Sequence, residues 1–400
     1  VFLPPLMQEF GWSRSQLSLS FAILTLVFGL GQPVVGILLE RYDSRIILSV
    51  GAVLMAGGTL GMIYATRIWH VHILIGLITG VGFSALGVIP TAVLISRWFM
   101  KLKGTALGVS NAGVSIGQLI FAPLSMWLVL AIGWRTAFFV TGILFLVPLL
   151  PLVLLLLRNR PSDLGLLPDG AAPAGGPQPE GSRTGAPVAA AARDVREAEE
   201  RVPPRVALRT MSYWLLAGPF IICGATVNLV NLHFVVMTLD WGIAPMVAAN
   251  ALGLVGAVNA VGILIAGNLS DRFGRKIPLA GVYMFRVLAF LILMFNHSVA
   301  AVYVFAVLYG LTSFSAAPLT SALVGDVFGI RSVGSLLGLI SMGHQIGGAL
   351  GSYLAAVVFE ITGSYQLVLL AGVVLLTANI AATLLVPERR RVQARIPAQA

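Results

Sequence analysis

Cysteine is nearly absent. Cys223 is the single one in 400 residues, and it lies within an apolar run. An intrachain disulfide is therefore excluded, and so is a cysteine metal site. Charge is scarce as well, at 10% of residues, against about 25% in an average globular chain. The charges sum to +10, yet no basic–aromatic surface accompanies them, which argues against nucleic acid as a partner. No cleavable signal pattern is visible. The glycine-rich run Gly104-Thr105-Ala106-Leu107-Gly108, with Gly113 and Gly117, has no strand before it and no Gly-Lys-Ser/Thr after it. It reads as helix packing, not as a phosphate cradle. With no nucleotide loop, metal-ligand cluster or nucleophile–base arrangement, the sequence is not that of an enzyme and asks for no cofactor.

What is abundant is apolar length. Apolar residues make up 58% of the chain. A helix needs roughly 20 of them in a row to cross a bilayer. Eleven runs qualify, near 16–39, 46–66, 71–96, 105–131, 135–157, 212–238, 246–266, 277–296, 299–323, 333–357 and 364–386. The expected fold class is an all-α membrane protein.

One stretch organises these runs: Gly267-Asn268-Leu269-Ser270-Asp271-Arg272-Phe273-Gly274-Arg275-Lys276. A degraded copy lies 231 positions earlier, as Gly36-Ile37-Leu38-Leu39-Glu40-Arg41-Tyr42-Asp43-Ser44-Arg45. Each copy has a Gly leaving an apolar helix, an acid–base pair, and further basic charge. The Gly is expected to let a neighbouring helix approach closely. The acid is expected to face a helix N-terminus, whose dipole favours negative charge. Such duplication implies two similar halves. For the halves to match, one helix must precede residue 16, ending near Val1-Phe2-Leu3, which gives six plus six. On that numbering 16–39 is helix 2 and 364–386 is helix 12.

Basic residues cluster in alternate loops: Arg41, Arg45, Arg97, Lys101, Lys103, Arg272, Arg275, Lys276, Arg331 and the tail Arg389–Arg391. The opposite loops carry only Arg14, Arg67 and Arg135. Both termini and the central linker are therefore expected in the cytoplasm, and the protein in the plasma membrane as a monomer. The expected division is an N-terminal bundle over 1–157, a linker over 158–211, a C-terminal bundle over 212–386 and a tail over 387–400. The linker is rich in Pro, Gly and Ala, a composition that buries no core. A short surface helix is expected near its end, around Ala192–Arg201.

The repeated motif resembles the signature loop of the major facilitator superfamily. Further stretches resemble the bacterial branch related to monocarboxylate porters, including oxalate/formate antiporters. These are Phe10-Gly11-Trp12-Ser13-Arg14, Arg160-Pro161-Ser162-Asp163-Leu164-Gly165, Ala207-Leu208-Arg209-Thr210, and Thr362-Gly363-Ser364-Tyr365. The resemblance implies the major facilitator fold: two six-helix bundles related by a pseudo-two-fold, working by alternating access. It also implies that helices 1, 4, 7 and 10 line a central cavity. There are two departures from the family pattern. Asn259 and Ile263 stand where animal monocarboxylate porters carry an Asp and an Arg in helix 8. The first motif copy has Glu40 for Asp and Asp43 for Gly.

Polar groups inside a membrane are expensive and usually functional. Arg286 lies ten residues past Lys276, about 15 Å deep. It reads as a fixed cation for an anionic substrate, or as a brace on backbone carbonyls. His344, beside Gln345 in helix 11, reads as a proton relay, or as a neutral histidine bonded between helices. Asn228 and Asn231 in helix 7, Asn111, Ser115 and Gln118 in helix 5, Tyr309, Ser313 and Thr320 in helix 10, and Asn259 in helix 8 are candidate solute contacts. The alternative for each is interhelical bonding. Asp326 reads as part of a structural gate loop, with Gly36, Glu40, Arg41, Arg45, Gly267, Asp271, Arg272, Gly274 and Arg275 as the moving motif. The leading expectation is a proton-coupled transporter of a small monocarboxylate-like anion. A proton-driven exporter of apolar compounds is the alternative, and a non-transporting sensor a remote one.

Overall fold

The computed structural model describes residues 1–99, 103–159, 161–165, 202–329 and 332–387, and every regular element among them is helical. A short helix α1 (Leu3–Phe10) comes first, so the segment ahead of helix 2 is helical past Leu3, to Gly11 in the left-handed region at φ 66°. Helix α2 (Arg14–Arg41) starts on a capping box between Ser13 and Gln16, which satisfies two orphan backbone donors. Helix α3 (Ser44–Gly61) is capped by the Asp43 side chain. Helix α4 (Ile68–Trp98) contains a π stretch, His72–Thr79, and bends at Gly87.

The run Lys103–Pro151 is two helices, α5 and α6, which part at Gly133. Its φ of 77° and ψ of 160° lie outside the helical region, a conformation only glycine adopts cheaply. Then follow α7 (Met211–Asp240), α8 (Pro245–Phe273), α9 (Lys276–Phe295), α11 (Val333–Thr362) and α12 (Gln366–Leu384). Helix α10 is interrupted: Val299–Gly310 and Ala316–Phe328 are separated by a turn over 311–315. Among the described residues, nine stretches are long and apolar enough to cross a bilayer, taking α5 and α6 as one and leaving out both pieces of α10. Split and joined accordingly, they are the eleven expected spans. The surface helix expected at Ala192–Arg201 lies outside the described residues. Near it only a single turn, Pro204–Ala207, leads to α7.

Among the described residues the two most extensive contacts between the halves are α2 against α11 and α5 against α8. A pseudo-two-fold that exchanges 2 with 8 and 5 with 11 turns one contact into the other. Close approach at glycines permits such seams. A Cβ on Gly256 of α8 would sit 2.7 Å from the Ser115 carbonyl of α5, and one on Gly29 of α2 would sit 2.7 Å from Gln345 of α11. Within the C-terminal half, α7 packs along α11 and is the most enclosed of the described spans. Here Gly224 brings the backbones together: a Cβ there would lie 2.0 Å from the His344 carbonyl.

Candidate functional site

The break in α10 is the polar centre of the C-terminal half. A broken helix leaves backbone N–H and C=O groups unpaired inside the protein, and each must find a partner. Two side chains predicted from sequence supply them. Arg286 of α9 is fully buried and donates through its Nη2 to the carbonyls of Thr312 at 2.7 Å and Ser313 at 3.3 Å. Asn259 of α8 accepts from the Phe314 N–H at 3.0 Å, while its amide donates to Ser115 Oγ of α5 at 2.8 Å. Arg286 also donates to Cys223 Sγ at 3.1 Å and Thr226 Oγ1 at 3.3 Å on α7, and it lies over the Tyr309 ring at 5.3 Å. Five scattered sequence candidates, Arg286, Asn259, Ser115, Tyr309 and Ser313, thus converge on one turn.

The break corrects the expected helix 10 stripe. Tyr309, Ser313 and Thr320 are all buried, at 0%, 4% and 1% exposure, and Ser313 lies in the interrupted turn. Periodicity of four and seven has no meaning across residues that are not helical. The helix 7 pair is corrected too. Asn228 is buried and bonds the Gly224 carbonyl of its own helix at 3.1 Å. Asn231 is the one exposed residue between Leu215 and Thr238. The helix 5 stripe divides similarly: Asn111 is exposed, Gln118 half-buried, and Ser115 buried against Asn259. On α11, His344 and Gln345 are both half-buried. The His344 ring packs on Phe220, one turn before Cys223, at 4.6 Å.

A second polar cluster joins the halves at the end remote from the signature loops. Arg14 at the start of α2 forms a two-pronged ion pair with Asp240 at the end of α7, both contacts 2.6 Å. It also donates to the Tyr365 hydroxyl at 3.2 Å and lies over the Phe359 ring at 3.8 Å. Ser15 N–H donates to Glu360 at 2.7 Å. Behind them His233 Nε2 meets the Ser352 carbonyl at 2.8 Å, and Nδ1 meets the Tyr365 hydroxyl at 2.9 Å. A carbonyl can only accept, so Nε2 carries the proton and Nδ1 accepts from Tyr365. Burial pushes the Tyr365 phenol up to about 12 despite the neighbouring Arg14, so it remains a donor at neutral pH. This latch was not foreseen. Arg14 and Asp240 are 226 residues apart, and no local spacing joins them.

The signature loops behave differently. Gly274 ends α8 at φ 75°, whereas Asp43 in the first copy is extended, at φ −62° and ψ 131°, and caps α3. The close approach expected at the motif glycines is not present: a Cβ on Gly267 would meet nothing within 4 Å, and one on Gly36 only Ile89 at 3.8 Å. Arg41, Asp271 and Arg272 are exposed, and Asp271 makes no hydrogen bond or ion pair among the described residues. Its expected partner, a helix N-terminus, does not hydrogen-bond it among the described residues. Arg275 pairs with Asp326 within the C-terminal half. Arg45, by contrast, is half-buried, and its Nε lacks a partner among the described residues. Glu40 falls among residues whose side chains are not described. Among the described residues, every hydrogen bond between the halves is at the remote latch or at Asn259–Ser115. Among the described residues the halves are thus fastened at the remote end and share no hydrogen bond at the signature end.

Comparison with known proteins is consistent with this architecture. The family model described as Major Facilitator Superfamily matches residues 1–230 and again 215–400. The chain is 26% identical over 380 residues to an MFS-type transporter of Bacillus subtilis, YcxA, covering 93% of this chain and 86% of that one. It is 27% identical over 344 residues to monocarboxylate transporter 13 of Rattus norvegicus, covering 84% and 71%. Among solved structures, the nucleoside transporter NupG superposes with a TM-score of 0.69 at 14% identity, over 95% of this chain and 92% of that one. A bacterial homologue of the human lysosomal transporter Spinster gives 0.67 at 16%, over 99% and 93%.

Proposed function

The chain belongs to the Major Facilitator Superfamily and is a membrane transporter, and we propose that it carries a small monocarboxylate-like anion, coupled to protons, by alternating access between its two halves. The observation that carries this reading is the sign of the charge in the membrane interior. None of the 15 Asp and Glu residues lies in the middle of a span. The fixed charge there is Arg286, and the first turn of the second α10 segment adds the positive end of a half-helix dipole. Half-helix ends near the midplane are a recurring device for holding charged solutes.

In this conformation Arg286 is occupied by backbone carbonyls. It therefore acts on a solute through its field. Direct contact falls to the accessible amides Asn231, Asn111, Gln118 and Gln345. An amide N–H donating to a carboxylate makes a charge-assisted bond, about twice as strong as a neutral one. His344 is the proton-coupling group. For inward and outward states to alternate, the Arg14–Asp240 latch must open as the signature loops close. The expected setting is the plasma membrane, with the termini in the cytoplasm and the protein a monomer.

The test is uptake of radiolabelled lactate or oxalate into proteoliposomes, with and without a pH gradient. Gradient-driven uptake that is lost in Asn231→Asp supports the reading, because a second anion repels the first. Absence of uptake for every acid in a panel, with export of apolar dyes instead, overturns it in favour of a proton-driven exporter.

A further inference from the structure

Arg286 carries a charge with no ion-pair partner among the described residues. It is fully buried, and its four partners are a thiol, a hydroxyl and two carbonyls. Among the described residues its Nε has no partner, and neither do the buried hydroxyls of Tyr283 and Tyr309 beside it. A buried ion without a counterion costs several kcal/mol. The titratable groups that face this point are few. They are Cys223 from α7, Tyr283 from α9 itself, Tyr309 from α10 and His344 from α11. An ordinary thiol ionises near 8.5 and a phenol near 10, so the sulfur gives up its proton first. Of the four acceptors around the guanidinium, sulfur, at 3.1 Å from Nη1, carries the most readily lost proton.

The thiol is sealed from outside at 2% exposure, so its proton needs a carrier. Gly224, the next residue, lets α11 come so close that His344 lies against it. The half-buried His344 ring also packs on Phe220, one turn before Cys223, at 4.6 Å, so it borders the thiol's helix while remaining partly accessible itself.

We propose that Cys223 and Arg286 form a thiolate–guanidinium pair in the middle of the C-terminal half, and that His344 is the group through which the Cys223 proton enters and leaves. In this step the S–H bond breaks and an N–H bond forms on the imidazole. The electron pair stays on sulfur, and the imidazolium passes its proton to water. The pair neutralises Arg286 when no anion is near. Protonating the sulfur leaves the guanidinium field free to attract one. That purpose rests on the proton-coupled reading above, but the existence of the pair does not.

Because Cys223 is the only cysteine, the whole protein has one S–H oscillator. Infrared spectroscopy of the purified full chain in lipid nanodiscs reads it directly, without substrate. The S–H stretching band is expected to be absent at neutral pH, to appear on acidification, and to be present at neutral pH in Arg286→Gln. Arg286→Lys, which keeps the charge, should again lack it. Cys223→Ser must show no band at any pH and identifies the signal. In His344→Gln, exchange of the acid-form S–H for S–D in heavy water should slow by about a hundredfold, the scale of lost acid–base assistance. An S–H band that persists in the wild type through neutral pH overturns the pair, and unchanged exchange in His344→Gln overturns the carrier. A positive infrared result with no acid uptake would leave the pair standing and remove only the carboxylate reading.

Discussion

Removing Arg14 should open the end of the molecule that this structure holds shut. Arg14→Ala deletes both prongs on Asp240, the bond to Tyr365 and the stacking on Phe359. Truncating one partner of a buried, hydrogen-bonded charge pair costs about 2–5 kcal/mol. Arg14 is 10% exposed but Asp240 is 32% exposed, so water compensates part of the loss and the lower half of that range, about 2–3 kcal/mol, applies. At about 1.4 kcal/mol per decade, the ratio of latched to unlatched forms falls roughly 30- to 150-fold. A latched excess of ~100:1 would drop to near parity.

The assay is pulsed electron–electron resonance between spin labels at Thr66 and Val299, exposed residues at the remote end of each half, in a Cys223→Ser background. The wild type should give one short distance, and Arg14→Ala a second, longer population of comparable weight. Asp240→Ala should do nearly the same, and the double variant should add little to either. An unchanged distance distribution in Arg14→Ala would refute the latch. So would full additivity in the double variant, because the two residues would then not be acting on each other.

Asn259→Leu should leave the Phe314 N–H and Ser115 hydroxyl without partners, costing about 1–3 kcal/mol. A fall in the apparent Tm of purified protein, larger than for Asn231→Leu at the exposed site, would show it; equal effects would contradict the buttress. Gly224→Ala should push α7 off α11, since the added Cβ would lie 2.0 Å from a backbone oxygen. Overpacking of that kind costs about 1–3 kcal/mol or more, and size-exclusion profiles should show a lost monodisperse peak that Gly281→Ala, at a site with nothing within 4 Å, retains. Glu9 accepts from the Trp134 indole and from Arg135, and these bonds hold its carboxyl below the usual range. A lowered folded value means the contribution is present above about pH 5 and lost as pH falls through the lowered value. The difference in Tm between wild type and Glu9→Gln should therefore be seen at neutral pH and vanish towards about pH 3; a pH-independent difference would count against it.

Much of the plan was readable because it depends on local rules. Run length and the repeated loop at Gly36 and Gly267 require only that a helix span about 30 Å of hydrocarbon, and they located eleven spans. The interrupted α10 was not readable. Its turn, Leu311-Thr312-Ser313-Phe314-Ser315, has hydropathy compatible with helix and no Pro before Pro318. It is held open by Arg286 and Asn259, which come from other helices. The reading of Asn228 with Asn231 failed for a related reason: residues three apart share a face only loosely, and tight packing on α11 covered one and left the other exposed.

By itself the sequence determined the fold class, the duplication, the near absence of internal carboxylate and the solitary thiol. Composition and period express these, and they survive any arrangement of the helices. The tertiary structure alone decided which polar groups meet. Arg14 reaches Asp240, Asn259 reaches Phe314, and Arg286 reaches Cys223, across 226, 55 and 63 residues. Such pairs follow from how helices cross, and helix crossing is set by summed packing at glycines such as Gly224 and Gly256, which no local spacing encodes.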